Sequence, residues 1–402
     1  MKPSDASAAN RRTLFLSPEP PFPMIGGGPI RSASLFEYLS ERSQVDVITF
    51  RQSGDSDPRE RFPPGRAHHI YVVDLPVHSR SAPARVFRNL KRAVRSRPPL
   101  MDRFSGFAGE IGRAIAGQQY GCALIEHFWC AEYEPLLRTH CKQVYLDLHN
   151  IESRWHAKLA DTEDRASGLI YRRFAQASEK LERELLPQFD TLLVTSAADR
   201  ERALAIAPEA KCVVYPNALP YLEKPIRSER NSIVFSGNLE YQPNVSAIRY
   251  FRKSIWPSVR ERCPFLTWVI IGKNPHSIKA IVQGDDRIRL IGPVDDAVVA
   301  IAGAAAAVVP LLAGSGTRIK ILEAWAAGTA VVSTSIGAEG LEYLSGENLM
   351  IADDPSGFSE AVMSLVESGD RRQAIGLSGR TQYEQRYTWS TAFAELDRNL
   401  TC

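Results

Sequence analysis

The sequence predicts an α/β protein with two Rossmann-like domains, and three observations support this fold class. The chain has 402 residues, of which 44% are hydrophobic and 24% are charged, which is enough for two globular cores. A buried strand at 13–16, a glycine loop at 26–28 and a helix over 29–42 form the opening unit of a doubly wound sheet. The same order of strand, glycine loop and helix recurs over 232–262, so we expect a second such sheet.

Composition excludes several classes of protein. The net charge of +3 is too small to indicate nucleic acid as a partner. The six cysteines are widely spaced, which favours reduced thiols in a cytoplasmic protein over a disulfide framework. We find neither a signal peptide nor a membrane span, so any contact with a membrane is expected to be peripheral, at its inner face. Residues 1–12 are expected to be disordered.

The most informative stretch covers residues 304–340. It predicts a buried strand over 306–312, a loop, a helix from Thr317 to about Ala327, and a second buried strand over 330–334. A glycine loop that leads into a helix exposes backbone N–H groups, which favours an anion such as a diphosphate. The residues concerned are Gly314, Ser315, Gly316 and Thr317, with Arg318 and Lys320 as neighbouring cations.

Glu323 lies one helical turn after Lys320 and could accept hydrogen bonds from two ribose hydroxyls. Two simpler interpretations stay open. The glycines could merely form a turn, and Lys320 and Glu323 could form a surface ion pair worth roughly 0.3 kcal/mol.

Two histidines follow predicted strands of the first domain. His127 follows the strand over 123–126, and His149 follows the strand over 143–148. Both are expected at the edge of the sheet where ligands bind, and His149 is the stronger candidate for contact with a sugar or a phosphate. A structural role is the alternative for both.

A basic stretch between Arg80 and Arg103 carries apolar residues at helical spacing. Such a helix can lie on an anionic bilayer, although a solvated helix face is the alternative.

The second half of the chain resembles the group-1 glycosyltransferases of the GT-B fold, that is, retaining glycosyltransferase family 4. The loop G-x-x-x-Y-x-P-N is similar to a branch of this family associated with exopolysaccharide and PEP-CTERM systems. The residues that carry the resemblance include Gly237, Asn238, Asn244, Pro310, Gly314, Gly316, Lys320, Glu323, Gly328 and Glu339. Ser315 stands where the family usually has a first glutamate, eight positions before Glu323.

The resemblance implies two Rossmann-like domains that face each other across a cleft. The expected division is an acceptor-side domain over 1–218, a linker over 219–230, a donor domain over 231–385 and a final helix over 386–402 that crosses back. It also implies a cleft loop made of Gly26, Gly27 and Gly28, although these glycines could form only a flexible turn.

The function implied is transfer of a sugar from a nucleotide-diphosphate sugar to a hydroxyl acceptor, with retention of anomeric configuration. The acceptor could be a glycan, a lipid-linked sugar or a small molecule, as in polysaccharide biosynthesis. His149, Lys320 and Arg318 are the expected catalytic residues, and Glu339 is a further donor-side candidate. No cofactor or divalent metal is expected, because the cations can neutralise the leaving group. A nucleotide-sugar epimerase and a non-catalytic nucleotide-sugar binder are the alternatives.

Overall fold

The computed structural model describes residues 12–77, 81–162, 165–226, 231–313 and 318–401. These residues form two compact units: one reaches Pro216 and resumes at Phe393, and the other spans Asn217–Ala392. Each unit contains one parallel sheet with helices, which confirms the predicted α/β class with Rossmann-like domains. Within the described ranges, no helix is both long and apolar enough to cross a bilayer.

The sheet of the first unit has seven parallel strands among the described residues. They are β1 (Arg12–Ser17), β2 (Gln44–Gln52), β3 (His69–Leu75), β4 (Tyr120–Glu126), β5 (Cys141–Leu148), β6 (Thr191–Val194) and β7 (Cys212–Val214). Their order across the sheet is β3-β2-β1-β4-β5-β6-β7. The direction of winding therefore reverses between β1 and β4, and ligands of such sheets bind at the carboxyl ends of the strands near this reversal.

Eight helices of the first unit precede the second unit in the described chain. They are α1 (Gly27–Ser40), α2 (Ala82–Val94), α3 (Pro99–Phe104), α4 (Ala108–Ala114), α5 (Glu134–Arg138), α6 (Glu152–Thr162), α7 (Arg165–Leu185) and α8 (Ala197–Ile206). Gly27 and Gly28 lie in the first turn of α1, so the glycine loop is shorter than expected. Gly26 precedes the helix with a φ of 101°, a conformation that favours glycine. The remaining residues expected to be disordered, 1–11, lie outside the described residues, while Arg12 begins β1.

The helices α6 and α7 pack against each other. His156 Nδ1 lies 3.0 Å from Ser178 Oγ, and Ser153 N donates to Glu182 Oε1 at 3.0 Å. Residue numbers increase along α6 where they decrease along α7, so the two helices are antiparallel. Gly168 permits the close approach, since a Cβ there would lie 2.8 Å from the Ala160 carbonyl oxygen.

The second unit repeats the architecture with six parallel strands in its described part. They are β8 (Ser232–Ser236), β9 (Thr267–Ile271), β10 (Ile288–Ile291), β11 (Ala306–Val309), β12 (Val331–Ser333) and β13 (Met350–Ile351). Their order is β10-β9-β8-β11-β12-β13, so the winding reverses between β8 and β11. The order places the ends of β8 and β11 at the ligand-binding position.

Helices cover this second sheet. One continuous helical segment consists of α9 (Gln242–Tyr250), a π-helical turn (Phe251–Ile255) and α10 (Trp256–Arg262). The others are α11 (Lys279–Val282), α12 (Ala297–Ala302), α13 (Ile319–Ala326), α14 (Pro355–Glu367), α15 (Gly369–Arg386) and α16 (Trp389–Asn399).

The segment expected as a linker begins as part of the second unit. Leu219 N donates to the Tyr387 carbonyl at 3.0 Å, and Arg380 donates to the Leu222 carbonyl at 2.7 Å. Residues 227–230 lie outside the described residues.

The last part of α16 belongs to the first unit. There Phe393 packs edge-on against Tyr38, and Asp397 pairs with Arg42 at 3.0 Å.

Cysteine chemistry differs from the prediction at one position. Cys122 is disulfide-bonded, whereas Cys130, Cys141, Cys212 and Cys263 are free. The expectation that the thiols are reduced is therefore wrong for Cys122.

Candidate functional site

The second unit places a polar cluster at the carboxyl edge of its sheet, where the winding reverses. Gly237 and Asn238 directly follow β8, and Lys320 and Glu323 lie on α13. The predicted glycine loop of Gly314, Ser315, Gly316 and Thr317 lies outside the described residues.

Lys320 is held by a short set of contacts. Its Nζ donates to Asn244 Oδ1 at 2.8 Å and lies 5.2 Å from the centroid of the Phe235 ring. Asn244 in turn donates through Nδ2 to the Asn238 carbonyl at 2.8 Å. The structure therefore brings Lys320 together with Asn238 and Asn244, which lie on a segment distant in sequence.

Gly237 is required by this close packing. A Cβ at Gly237 would lie 2.7 Å from Asn244 Nδ2 and 3.4 Å from Lys320 Nζ. Gly272, after β9, makes a similar approach that sequence analysis missed, since its Cβ would lie 1.7 Å from the Gly237 carbonyl oxygen. Glycine at both positions allows the loop after β8 to lie against Lys320.

Lys320 and Glu323 have different partners, so the interpretation as a surface ion pair is not what the structure describes. Glu323 Oε2 accepts a hydrogen bond from Ser236 Oγ at 3.3 Å. Burial, with the nearby Arg318 charge, lowers the pKa of Lys320 to about 7. Burial also raises the pKa of Glu323 to about 7. The pKa values of both groups therefore lie close to 7, and a bound anion would raise both of them.

Arg318 and Glu339 differ in how closely they join this cluster. Arg318 is buried directly before α13, and its Nη2 donates weakly to the Ile336 carbonyl at 3.5 Å. Its charge acts on Lys320, as predicted for two cations side by side. Glu339 lies half-buried in the turns after β12, and no helix begins there.

The first unit has its own polar cluster at the ends of β4 and β5. His149 Nε2 lies 2.9 Å from Glu126 Oε2 and 3.1 Å from Asp147 Oδ2. Arg31, from α1, donates to both oxygens of Asp147 and also to the Tyr215 carbonyl. Each charge of this buried cluster thus has an opposite charge beside it.

The rings of the two candidate histidines lie against each other at an angle of 30°. Their pKa values are shifted in opposite directions. Burial alone would lower the pKa of His149, but the Glu126 and Asp147 carboxylates outweigh it and raise the pKa to about 9. Burial and the His149 charge lower the pKa of His127 well below its usual value. The ring centroids are 3.5 Å apart, and His127 reaches this position with a φ of 61°, which is unusual for a non-glycine residue.

His149 has an atom available for a ligand. Within the described part of the chain, both of its polar contacts use Nε2, and its side chain is 11% exposed. As an imidazolium it carries a second proton on Nδ1, which can donate to a phosphate or a hydroxyl oxygen.

Sequence analysis missed the residues that set the charge on His149. Arg31, Glu126 and Asp147 are distant in sequence, and only the sheet brings them together. An acidic residue one or two positions before each histidine, Glu126 before His127 and Asp147 before His149, was the available signal.

Among the described residues, two groups of side chains have the atoms to hold a metal: Glu126 with His127 and His149, and Asp46 with His68 and His69. In the first group, His149 Nε2 is already in contact with Glu126 and with Asp147.

Two Rossmann-like units, each with a polar cluster where its sheet reverses, define an α/β protein of the GT-B fold. Residues 230–368 match the family model described as glycosyl transferases group 1. A Klebsiella pneumoniae protein described as an uncharacterized 44.6 kDa protein in the cps region is 23% identical over 400 residues, covering 96% of this chain and 98% of the relative. Phosphatidyl-myo-inositol mannosyltransferase of Mycolicibacterium smegmatis is 31% identical over 148 residues, which are 35% of this chain and 38% of that enzyme.

Solved structures agree with the fold across nearly the whole chain. Sucrose-phosphate synthase from Thermosynechococcus elongatus has a TM-score of 0.72 at 16% identity, covering 96% of this chain and 98% of that chain. The Anabaena protein HepE, in complex with UDP and glucose, has a TM-score of 0.63 at 13% identity, covering 97% and 99%. Together the comparisons show that this chain is similar to glycosyltransferases.

Proposed function

We propose that this protein transfers a hexosyl group from a nucleotide-diphosphate sugar to a hydroxyl acceptor, with retention of anomeric configuration. The observation that carries the proposal is Lys320, whose ammonium lies beside Asn244 and Gly237 at the reversal point of the second sheet. A group-1 profile over the same segment and a similar fold that binds UDP in HepE support a nucleotide-sugar donor.

The electrostatics of Lys320 suit a departing diphosphate. Burial lowers its pKa to about 7, and an anion bound beside it would raise that pKa and favour the ammonium form. In the transfer step the donor C1–O bond breaks, the diphosphate keeps the electron pair, and the acceptor oxygen bonds to C1. The acceptor proton passes to the diphosphate, and Lys320 with Arg318 stabilises the negative charge.

Glu323 supplies the complementary recognition of the donor. When ionised, its carboxylate accepts hydrogen bonds from the two ribose hydroxyls, and the hydroxyl of Ser236 orients it. Asn238 and Asn244 fix the loop against which the phosphates lie. In the first unit, His149 offers a cationic N–H to a ligand that carries a phosphate or a hydroxyl oxygen.

A ligand screen followed by a product assay tests this function. A ligand that binds only the folded state raises the unfolding temperature, so UDP, GDP, ADP and TDP and their sugars should separate into stabilising and inactive ligands. The stabilising donor is then incubated with acceptor sugars, and NMR identifies the anomer of the product. An α-linked product from an α-linked donor is expected.

Other outcomes of that assay would contradict the proposal. A β-linked product from the same donor would rule out retention. An epimer formed without acceptor would indicate an epimerase, and binding with neither transfer nor hydrolysis would indicate a non-catalytic binder.

The acceptor is proposed to lie at an anionic membrane, because α2 has an exposed apolar face. Phe87 and Val94 are 69% and 76% exposed, and Val86 and Leu90 are also exposed on the same helix. Lys91 and Arg95 are exposed next to them. Arg80, which begins the predicted basic stretch, lies outside the described residues. Apolar side chains beside cations match the boundary between lipid headgroups and acyl chains.

Vesicle sedimentation tests this surface. The double variant Phe87→Ser/Leu90→Ser should lose binding to vesicles that contain phosphatidylglycerol, and zwitterionic vesicles should bind neither protein. Leu377→Ser changes an exposed leucine on α15 and serves as the control. Equal sedimentation of the double variant and the wild type would remove α2 from membrane contact.

A further inference from the structure

A second cluster of potential ligands lies in the first unit, near the amino ends of its strands. Asp46 is the third residue of β2 and pairs in register with His69, the first residue of β3. Asp46 is buried, whereas the side chains of His68 and His69 are 36% and 54% exposed. The polar residues of the candidate site follow the carboxyl ends of the strands, so this cluster lies at the other end of the same sheet.

Three atoms converge in this cluster. His68 Nδ1 lies 2.9 Å from Asp46 Oδ1, His69 Nδ1 lies 3.5 Å from the same oxygen, and the two Nδ1 atoms are 2.7 Å apart. Two ligands bonded to one cation at about 2.1 Å lie about 3.0 Å apart at a right angle and about 3.4 Å apart at the tetrahedral angle. The three observed distances are spread around these values.

Hydrogen bonds alone cannot satisfy the two shortest contacts. Both use His68 Nδ1, which lies 2.9 Å from Asp46 Oδ1 and 2.7 Å from His69 Nδ1 and carries in its ring plane either one proton or one lone pair. It can therefore make only one linear hydrogen bond. A single cation can instead accept a lone pair from each of the three atoms.

The carboxylate is held in the orientation that such a site needs. Arg12 and Tyr120 both donate to Asp46 Oδ2, the latter at 2.8 Å, which leaves Oδ1 facing the two histidines. Neighbours that orient a ligand through hydrogen bonds in this way are typical of metal sites.

We propose that Asp46, His68 and His69 bind one divalent transition cation of the Zn²⁺ type, with water completing its coordination. Two imidazoles and one carboxylate favour Zn²⁺, Co²⁺ or Ni²⁺ over Mg²⁺ and Ca²⁺, which prefer oxygen ligands. The Arg12 charge opposes a nearby cation, so binding is weaker than at a structural zinc site with four protein ligands. The cation would join the edge strand β3 to β2 and take no part in sugar transfer.

Direct binding measurements on the chelator-treated full chain test this site. Titration with Zn²⁺ by calorimetry should give one cation bound in the wild type, and Co²⁺ should give a visible absorption band from coordinated imidazole. The variant His68→Gln/His69→Gln should bind at least about tenfold more weakly and lose the Co²⁺ band. His140→Gln, at the same end of the sheet, is the control and should bind as the wild type does.

The readout is independent of sugar transfer, because no donor or acceptor is present. If the double variant fails to fold, His69→Gln alone, with its exposed side chain, gives the same comparison. Wild-type affinity in the histidine variants, or no binding of Zn²⁺ and Co²⁺ by the wild type, would overturn the proposal.

Discussion

The polar clusters of the two units occupy equivalent positions, each at the carboxyl edge of a sheet where the winding reverses. They differ in the partners of their charged side chains. In the first unit His149 lies between Glu126 and Asp147, and Arg31 pairs with Asp147. In the second unit the Nζ of Lys320 bonds to a neutral amide, that of Asn244.

The pKa shifts express this difference. Carboxylates raise the pKa of His149 to about 9, whereas burial lowers that of Lys320 to about 7. The first cluster carries its own counter-charges and holds a fixed cation. In the second cluster, the counter-charge of Lys320 is expected from a ligand. Such a lysine can stabilise the negative charge that develops on the diphosphate.

The largest expected effect is at the cluster that depends on a ligand. Lys320→Ala should lower turnover by about 10²- to 10³-fold, the loss found when one preorganised donor to a developing anion is removed. Steady-state rates with the stabilising donor measure it. Lys279→Ala removes an exposed lysine of the same unit and should leave turnover unchanged. Near-normal turnover of Lys320→Ala would mean that the two clusters do not differ as described.

The second prediction concerns the self-compensated cluster. A raised pKa in the folded state stabilises the protein fully below the unfolded pKa of 6.5, and this contribution is lost as pH rises to about 9. The stability difference between the wild type and His149→Asn should therefore shrink by about 3 kcal/mol between pH 6.5 and 9.

Urea unfolding at the two pH values measures that difference. His140→Asn is the control, because it lies outside the cluster. A stability difference that stays constant from pH 6.5 to 9 would show that His149 is not held as an imidazolium.

The smallest expected effect is steric. In Gly237→Ala the added methyl displaces Asn244, and overpacking of this kind costs about 1–2 kcal/mol of stability. Donor affinity should fall as well, because Asn244 positions Lys320. Calorimetry with the donor and urea unfolding measure the two effects. Gly292→Ala adds a methyl with no atom within 4 Å and should change neither. Unchanged donor affinity in Gly237→Ala would show that the loop containing Gly237 does not contribute to donor binding.

Local sequence pattern predicted the elements of the fold with good accuracy where strands were short, apolar and bounded by turn residues. The strands expected over 13–16, 123–126 and 143–148 agree with β1, β4 and β5. The pattern did not separate α6 from α7, because both helices share an amphipathic period and only their mutual packing shows that they are two helices. It also missed β3, an edge strand of the first sheet.

The sequence by itself determined the fold class, the edge of the sheet at which ligands are expected, and the candidate residues Lys320, Glu323 and His149, because these follow from local order along the chain. Only the tertiary structure decided their charge states, since Arg31, Glu126 and Asp147 reach His149 from three separate elements and Asn244 reaches Lys320 from another. A pKa depends on the groups within a few ångströms and on burial, and neither can be read from spacing along a chain.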